Sequence, residues 1–133
     1  MSTSSPATAG TNATAQQYND LRLDAITRKV RVLMSIKGIL VVSNGQVKIP
    51  IPAAMTLARI CHIIRSGTSA TITVKRNTDT VKSGISVTTT YAVETTGLSN
   101  TSFAAGDDLI LDITAVSGSP TDISVLVEFT ETL

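Results

Sequence analysis

Residues branched at the β-carbon dominate this sequence, with Ile, Val and Thr together supplying 46 of its 133 residues. Such side chains are stiff in a helix but pack well on the pleated surface of a sheet. A chain of this length is enough for one domain with a core of its own. We therefore predict a single all-β domain and exclude a helical bundle.

Alternation of apolar and polar residues marks where the strands lie. It predicts strands over residues 30–36, 39–42, 47–51, 57–64, 70–75 and 85–89, with an extension or a further strand around Tyr91 and Val93. Asn44-Gly45 is the strongest short hairpin signal in the chain. Pro50 confines the strand over 47–51 to a sheet edge or a strand end, because proline cannot donate to a β-ladder.

The C-terminal third carries the clearest strand pattern. Gly106-Asp107 predicts a turn, after which residues 109–115 alternate between an apolar set ending at Ala115 and a set that includes Asp112. Residues 118–121 predict a loop, and residues 123–129 alternate again. This pattern predicts a long antiparallel hairpin with one buried face. About seven or eight strands at this spacing indicate an antiparallel β-sandwich of jelly-roll type.

The N-terminal part of the chain differs from the rest. Residues 1–14 are small and polar and carry no charge, a composition that cannot bury enough surface to offset the entropy of ordering. We therefore predict an extended N-terminal arm over residues 1–14. Residues 15–28 predict a short amphipathic α-helix, whose apolar stripe starts at Tyr18. Residues 29–133 are then the jelly-roll-like sandwich.

The net charge is only +1, but the charges are segregated along the chain. Residues 1–91 hold all 11 Lys and Arg with three acids, whereas residues 92–133 hold seven acids and no base. Two interpretations are open. Acidic late strands can pair beside basic early strands and cancel locally. Alternatively, the subunit is electrically polar, and its basic part meets the acidic part of a neighbouring copy and sets its orientation.

Little in the chain points to a reaction. With one Cys and one His, neither an intrachain disulfide nor a Cys/His zinc site can form. Cys61 and His62 are adjacent, so on a strand they point to opposite faces, and we expect both to be structural. Asp107, Asp108 and Asp112 can supply oxygen ligands to a calcium ion, but we favour roles as turn and surface acids. We predict no catalytic residue, no cofactor and no metal, and hence no enzyme.

Nucleic acid and membranes are not expected partners. No run of Lys or Arg exceeds two residues, and aromatic residues, which stack on bases, make up only 3%. The longest mostly apolar stretch, residues 30–42, is interrupted by Arg31 and Lys37, so it does not span a membrane. The N-terminus lacks the regions of a signal peptide, which predicts synthesis in the cytoplasm.

Two parts of the chain resemble proteins of tailed bacteriophages. Residues 10–25 resemble a segment near the N-terminus of many phage fibre and neck-region proteins, in which a small polar arm precedes the pattern Thr-Ala-x-x-Tyr-Asn-x-Leu-Arg-x-Asp. This chain matches that pattern at Thr14, Ala15, Tyr18, Asn19, Leu21, Arg22 and Asp24. Residues 103–111 and 116–125 resemble the small jelly-roll domains of phage virion proteins.

The resemblance implies a structural component of a tailed-phage particle, made in the host cytoplasm and located in the virion. It implies a capsid decoration (cement), collar or fibre-adaptor protein, commonly trimeric, that assembles with its own copies and with other virion proteins through the arm and the helix. Tyr18, Asn19, Leu21 and Arg22 would then lie at an attachment contact. Because the chain stops after one domain without a repetitive shaft, we favour these roles over host recognition.

Two other functions stay open. A glycan-binding module for host attachment would use exposed aromatic rings, for which Tyr18, Tyr91 and Phe103 are candidates, while Phe129 is expected in the core. A capsid shell protein is disfavoured, because arms that contact a genome are generally basic and this arm is uncharged. Subunit assembly is therefore the leading hypothesis.

Overall fold

Nine β-strands and no α-helix make up residues 27–132, the part of the chain that the computed structural model describes. The strands are β1 (Thr27–Ile39), β2 (Ser43–Pro50), β3 (Met55–Ser66), β4 (Ser69–Arg76), β5 (Asp79–Val87), β6 (Ala92–Glu94), β7 (Ser102–Phe103), β8 (Asp108–Ser117) and β9 (Thr121–Thr132). Residues 29–131 form one compact unit. Within residues 27–132, no helix is long and apolar enough to cross a membrane. The all-β prediction is confirmed.

Two of the predicted segments fall outside this part of the chain. The arm over residues 1–14 and the helix up to residue 26 lie outside the described residues. Thr27 and Arg28, the last two positions of the predicted helix, belong to β1.

The strands form two antiparallel sheets. The first sheet has the order β1-β9-β3-β6, and β7 also pairs with β3. The second sheet has the order β2-β8-β4-β5. Because β9 occupies one side of β3 along its length, β6 and β7 lie one after the other on the opposite side, as two pieces of an interrupted edge strand. Along the chain, β1, β2, β3 and β4 alternate between the two sheets, and so do β8 and β9.

The core consists of aliphatic side chains that both sheets contribute. Fully buried examples from the first sheet are Met34, Ile60, Ile64, Val125 and Val127, and from the second sheet Ile72, Val74, Leu109, Leu111 and Ile113. Phe103 and Phe129 are buried among them, with ring centroids 5.1 Å apart and ring planes at 88°. This edge-to-face arrangement is the favourable one for aromatic pairs.

The prediction of a hairpin between residues 109 and 129 is wrong. β8 pairs with β2 and β4 in the second sheet, whereas β9 pairs with β3 in the first. Residues 118–120 therefore cross from one sheet to the other instead of forming a hairpin turn. Alternation shows that each strand has one buried face, but two strands that face each other across a core satisfy it as well as two that pair side by side.

Alternation also fails locally in β8. Asp112 lies on the side of β8 opposite Leu111, as predicted, yet it is buried. Ala115, predicted to face the core, is exposed. The register of β4 and β8 shifts between Thr71 and Ile72, and this bulge changes which side chains face the core beyond it.

Asn44-Gly45 does not form a hairpin turn. Both residues lie inside β2, where its register with β8 shifts between Ser43 and Val47. Gly45 adopts a φ of 64°, which a glycine accommodates readily at a bulge. The predicted strand over residues 39–42 is also wrong, because those residues after Ile39 connect β1 in one sheet to β2 in the other.

The boundary prediction at Pro50 is confirmed. Pro50 ends β2, which is an edge strand of the second sheet. Gly67 separates β3 from β4 with a φ of 97°, and a Cβ at this position would collide with the backbone of Pro120. The β3–β4 turn therefore packs directly on the crossing between β8 and β9.

Candidate interaction surfaces

The four residues predicted at an attachment contact, Tyr18, Asn19, Leu21 and Arg22, lie outside the described residues. The described part of the chain brings together three polar networks and two candidate interaction surfaces.

The segregated charges largely neutralise each other within the described residues. Antiparallel pairing sets early basic strands beside late acidic ones, so that Lys48 Nζ lies 3.7 Å from Asp108 Oδ2 and Lys75 Nζ lies 2.7 Å from Asp112 Oδ2. Arg31, Arg59 and Lys82 likewise pair with Glu128 or Glu94. The structure thus favours local cancellation over an electrically polar subunit.

The first network joins the two sheets at their open edge. His62 on β3 is buried, and its Nε2 lies 2.9 Å from Glu94 Oε2 on β6. Lys82 on β5, in the second sheet, donates to Glu94 Oε1 at 2.6 Å and to the carbonyl of Thr96 at 2.9 Å. These hydrogen bonds, that of Lys82 first, hold the pKa of Glu94 below its ordinary value. His62 reaches this inter-sheet network from β3, and the adjacent Cys61 lies beside Tyr91.

The second network surrounds Asp107, one of the three acids considered for calcium. Asp107 Oδ2 accepts a hydrogen bond from the Ala104 N–H at 2.8 Å, which, with a further bond from Asn77, lowers the pKa of Asp107. Asp112 instead accepts from the Gly45 N–H and pairs with Lys75. Among residues 27–132, no group of three or more His, Cys, Asp or Glu side chains is placed to hold a metal ion.

The third network lies on the outer face of the first sheet, the side away from the core. Glu128 on β9 is almost fully buried between Arg31 NH2 at 3.3 Å and Arg59 NH2 at 3.1 Å. Two guanidinium groups from the flanking strands β1 and β3 thus share one carboxylate. At this end of the outer face, both arginines therefore have an acidic partner.

One candidate surface is formed by the last residue of β1 and the connection to β2, which together expose three aliphatic side chains. Ile39, Val41 and Val42 are 72%, 60% and 58% exposed. Leu40 between them is buried, and its N–H donates to the Pro120 carbonyl at 2.9 Å, which fixes the connection in place. We call Ile39, Val41 and Val42 the aliphatic tip. Clustered exposed aliphatic side chains of this kind are typical of interaction sites.

The other candidate surface is a groove on the outer face of the first sheet, with a volume of about 500 Å³. Its side chains come from three adjacent strands: Leu33, Ser35 and Lys37 from β1, Ile63 and Arg65 from β3, and Asp122 and Ser124 from β9. We call this the outer groove. A smaller depression adjoins it, because it shares Ile63 and Ser124, and that depression is lined by Cys61, Tyr91 and Leu126.

Sequence reasoning missed both surfaces. The aliphatic tip was predicted as a strand, although its position between Gly38 and Asn44-Gly45 was a signal for a connection. The outer groove has no local signal, because its residues come from positions nearly ninety apart, such as Lys37 and Ser124.

Comparisons with known proteins find a similarity among solved structures. No protein-family model matches the chain, and no curated protein matches it. Among solved structures, a chain of the cyanophage Pam1 capsid asymmetric unit is similar, with a TM-score of 0.43 and 12% sequence identity over 79% of this chain and 84% of that chain.

Proposed function

We propose that this chain is a structural component of a tailed-bacteriophage particle, a capsid decoration, collar or fibre-adaptor protein that acts by subunit–subunit assembly. The resemblance of residues 10–25, 103–111 and 116–125 to phage virion proteins supports this role. In the described part, residues 103–125 run from β7 through β8 and across to the start of β9. The protein would reside in the virion, with its own copies and other virion proteins as partners.

The strand order supports a jelly roll. Strands β1, β3 and β9 with β6 and β7 form one sheet, and β2, β4, β5 and β8 form the other. A four-stranded antiparallel sheet that faces a sheet of four strand positions, the last one shared by β6 and β7, is the arrangement of jelly rolls, an architecture used by viral capsid and lectin domains. This architecture suits a structural protein, because short connections leave the sheet faces and edges available for contact with neighbouring subunits.

The aliphatic tip is the observation that carries the proposal. Three adjacent aliphatic side chains more than half exposed cost free energy in water, and burial against another subunit removes that cost. Val41 and Val42 lie in the connection and Ile39 is the last residue of β1, so a neighbour can cover the tip without disturbing the pairing inside either sheet. In this proposal the arm over residues 1–14 and the contact around Tyr18, Asn19, Leu21 and Arg22 supply the remaining attachment.

Substitution of the tip tests its role. The double variant Val41→Asp/Val42→Asp is expected to fold but to lose self-association and binding to particles that lack the protein. Leu33→Asp is the matched control, since Leu33 is 57% exposed, like the tip valines, but lies in the outer groove, to which the tip contributes no residue. Light scattering measures the oligomer, and occupancy on particles measures attachment. Unchanged assembly of the double variant would overturn the role of the tip.

Deletion of residues 1–14 tests the arm separately. The truncated chain is expected to stay folded and soluble but to join particles no longer. Full occupancy of particles by the truncated chain would show that the arm does not attach it.

A further inference from the structure

Two basic side chains in the outer groove are without acidic partners. Lys37 and Arg65 make no ion pair with any described residue, whereas Lys48, Lys75 and Lys82 all do. Lys37 and Arg65 line the same groove, one on each side of β9. Because local pairing neutralises most other bases, this groove is a place where positive potential is left for a ligand.

The remaining groups of the groove narrow the class of ligand. Asp122 is a hydrogen-bond acceptor between the cations, and its Oδ1 already accepts from the Gly38 N–H at 2.6 Å. Ser35 and Ser124 add hydroxyl groups, while Leu33, 57% exposed, adds an apolar surface. A carboxylate in the groove disfavours a ligand that is anionic throughout. These cationic, hydroxyl and apolar groups together suit a ligand that carries carboxylates, hydroxyls and apolar C–H faces.

The floor of the groove restricts how a ligand is bound. β9 lies between β1 and β3, so the ladders of the sheet already use its backbone N–H and C=O groups. A peptide that adds a strand needs a free sheet edge, and this site is on a sheet face. Recognition here must therefore come from side chains.

An exposed aromatic ring stands at the end of the groove. Phe103 and Phe129 are in the core, which leaves Tyr91, 60% exposed, as the exposed aromatic side chain among residues 27–132. It lines the depression that shares Ile63 and Ser124 with the outer groove. Aromatic rings present a flat apolar body with a polar tip, which matches the two kinds of surface on a sugar ring.

We infer that the outer groove, extended to Tyr91, binds a carboxylated oligosaccharide, such as one built from uronic or sialic acids. Lys37 and Arg65 bind the carboxylates, Asp122 and the two serines bind hydroxyls, and Leu33 and Tyr91 contact the apolar faces of the rings. The site goes beyond the proposed assembly role and does not depend on it, since the aliphatic tip contributes nothing to the groove.

Titration of the full chain with defined ligands tests the site. The probes are oligogalacturonate and oligosialate, with methyl-esterified oligogalacturonate as the uncharged match, at about 0.15 M salt so that long-range attraction is screened. Two-dimensional NMR of this 13.9 kDa protein reports both affinity and location. We expect saturable binding of at least one acidic probe, with shifts centred on β1, β3 and β9 near the groove and on Tyr91.

Charge variants decide whether the acidic probes bind at the groove or are attracted by the positive charge of the whole surface. Lys37→Gln and Arg65→Gln are each expected to weaken binding about tenfold, the effect of losing one charge-assisted hydrogen bond. Lys29→Gln is the control, since Lys29 makes no ion pair with a described residue and lies on the same face of β1, roughly 27 Å from Lys37 along the strand. We expect the control to change affinity less than about twofold.

Several outcomes overturn the inference. An equal loss in Lys29→Gln shows non-specific attraction, and equal binding of the methyl ester shows that carboxylates are not recognised. Tighter binding of polyphosphate or of single-stranded DNA identifies a general anion surface instead. Failure of both acidic probes to saturate also rejects the site, and none of these results bears on particle assembly through the tip.

Discussion

Lys82 Nζ on β5 lies 2.6 Å from Glu94 Oε1 on β6, so one ion pair joins the second sheet to the first. Both side chains are about three-quarters shielded from solvent, and His62 completes the network from β3. Lys82→Gln is expected to lower the free energy of unfolding by about 2 kcal/mol, because Glu94 keeps its burial but loses its cation. Urea denaturation measures the change.

The control for that variant is Lys48→Gln. Lys48 pairs with Asp108 at 3.7 Å but is 61% exposed, so solvent screens the pair and its loss is expected to cost less than about 0.5 kcal/mol. Equal costs for the two variants would mean that the Lys82–Glu94 pair does not hold the sheets together.

Protonation of Glu94 at low pH should lower the free energy of unfolding. Hydrogen bonds from Lys82 and His62 lower the pKa of Glu94 from its ordinary value of 4.5, so its ionised form stabilises the folded state above that pH. This contribution is lost as pH falls through the lowered pKa in the folded state. We expect the urea midpoint to fall with pH below about 4.5, and Glu94→Gln to fall less steeply. A parallel decline in both proteins would contradict this role.

Asp112 is expected to be a strong determinant of stability. It is buried on β8, pairs with Lys75 at 2.7 Å and accepts from the Gly45 N–H at the β2 bulge. Asp112→Ala removes both interactions and is expected to cost about 3 kcal/mol. Asp112→Asn keeps an acceptor for Gly45 and should cost less. Thermal unfolding of the two variants separates the two contributions, and similar losses would assign the effect to the charge alone.

Gly67 should tolerate substitution much less than Gly84. Both have positive φ, 97° and 65°, so an alanine at either position pays for a left-handed backbone. Only at Gly67 would the new Cβ collide with Pro120, while Gly84 has open space around it. We expect Gly84→Ala to cost about 1 kcal/mol and Gly67→Ala about 3 kcal/mol in denaturation experiments. Equal costs would mean that backbone conformation alone matters there.

The sequence indicates element boundaries well where a single residue restricts the backbone conformation. Pro50 marks the end of β2, and Gly67 marks the turn after β3, because proline lacks a donor and glycine accepts positive φ wherever it stands in a fold. The hairpin prediction at Asn44-Gly45 was wrong for the same reason, because this dipeptide accepts positive φ in more than one kind of structure. Its conformation suits a bulge as well as a hairpin turn, and the Asp112 carboxylate, which holds the bulge, is far away in sequence.

The candidate surfaces could not be predicted in the same way. The outer groove needs Lys37, Arg65 and Asp122 to meet, and only the order β1-β9-β3 brings them together. The exposure of Tyr91 against the burial of Phe103 and Phe129 likewise depends on which strands cover which.

Composition and alternation by themselves determined that residues 27–132 are all-β, where most of their strands lie and which side of most strands is apolar, because those properties depend on single residues and their neighbours. Tertiary structure alone decided that β8 and β9 face each other across the core, that early bases meet late acids, and that two cations remain unpaired beside one groove. The physical reason is that strand pairing satisfies every backbone donor equally well in many orders, and the packing of the whole core selects one of them.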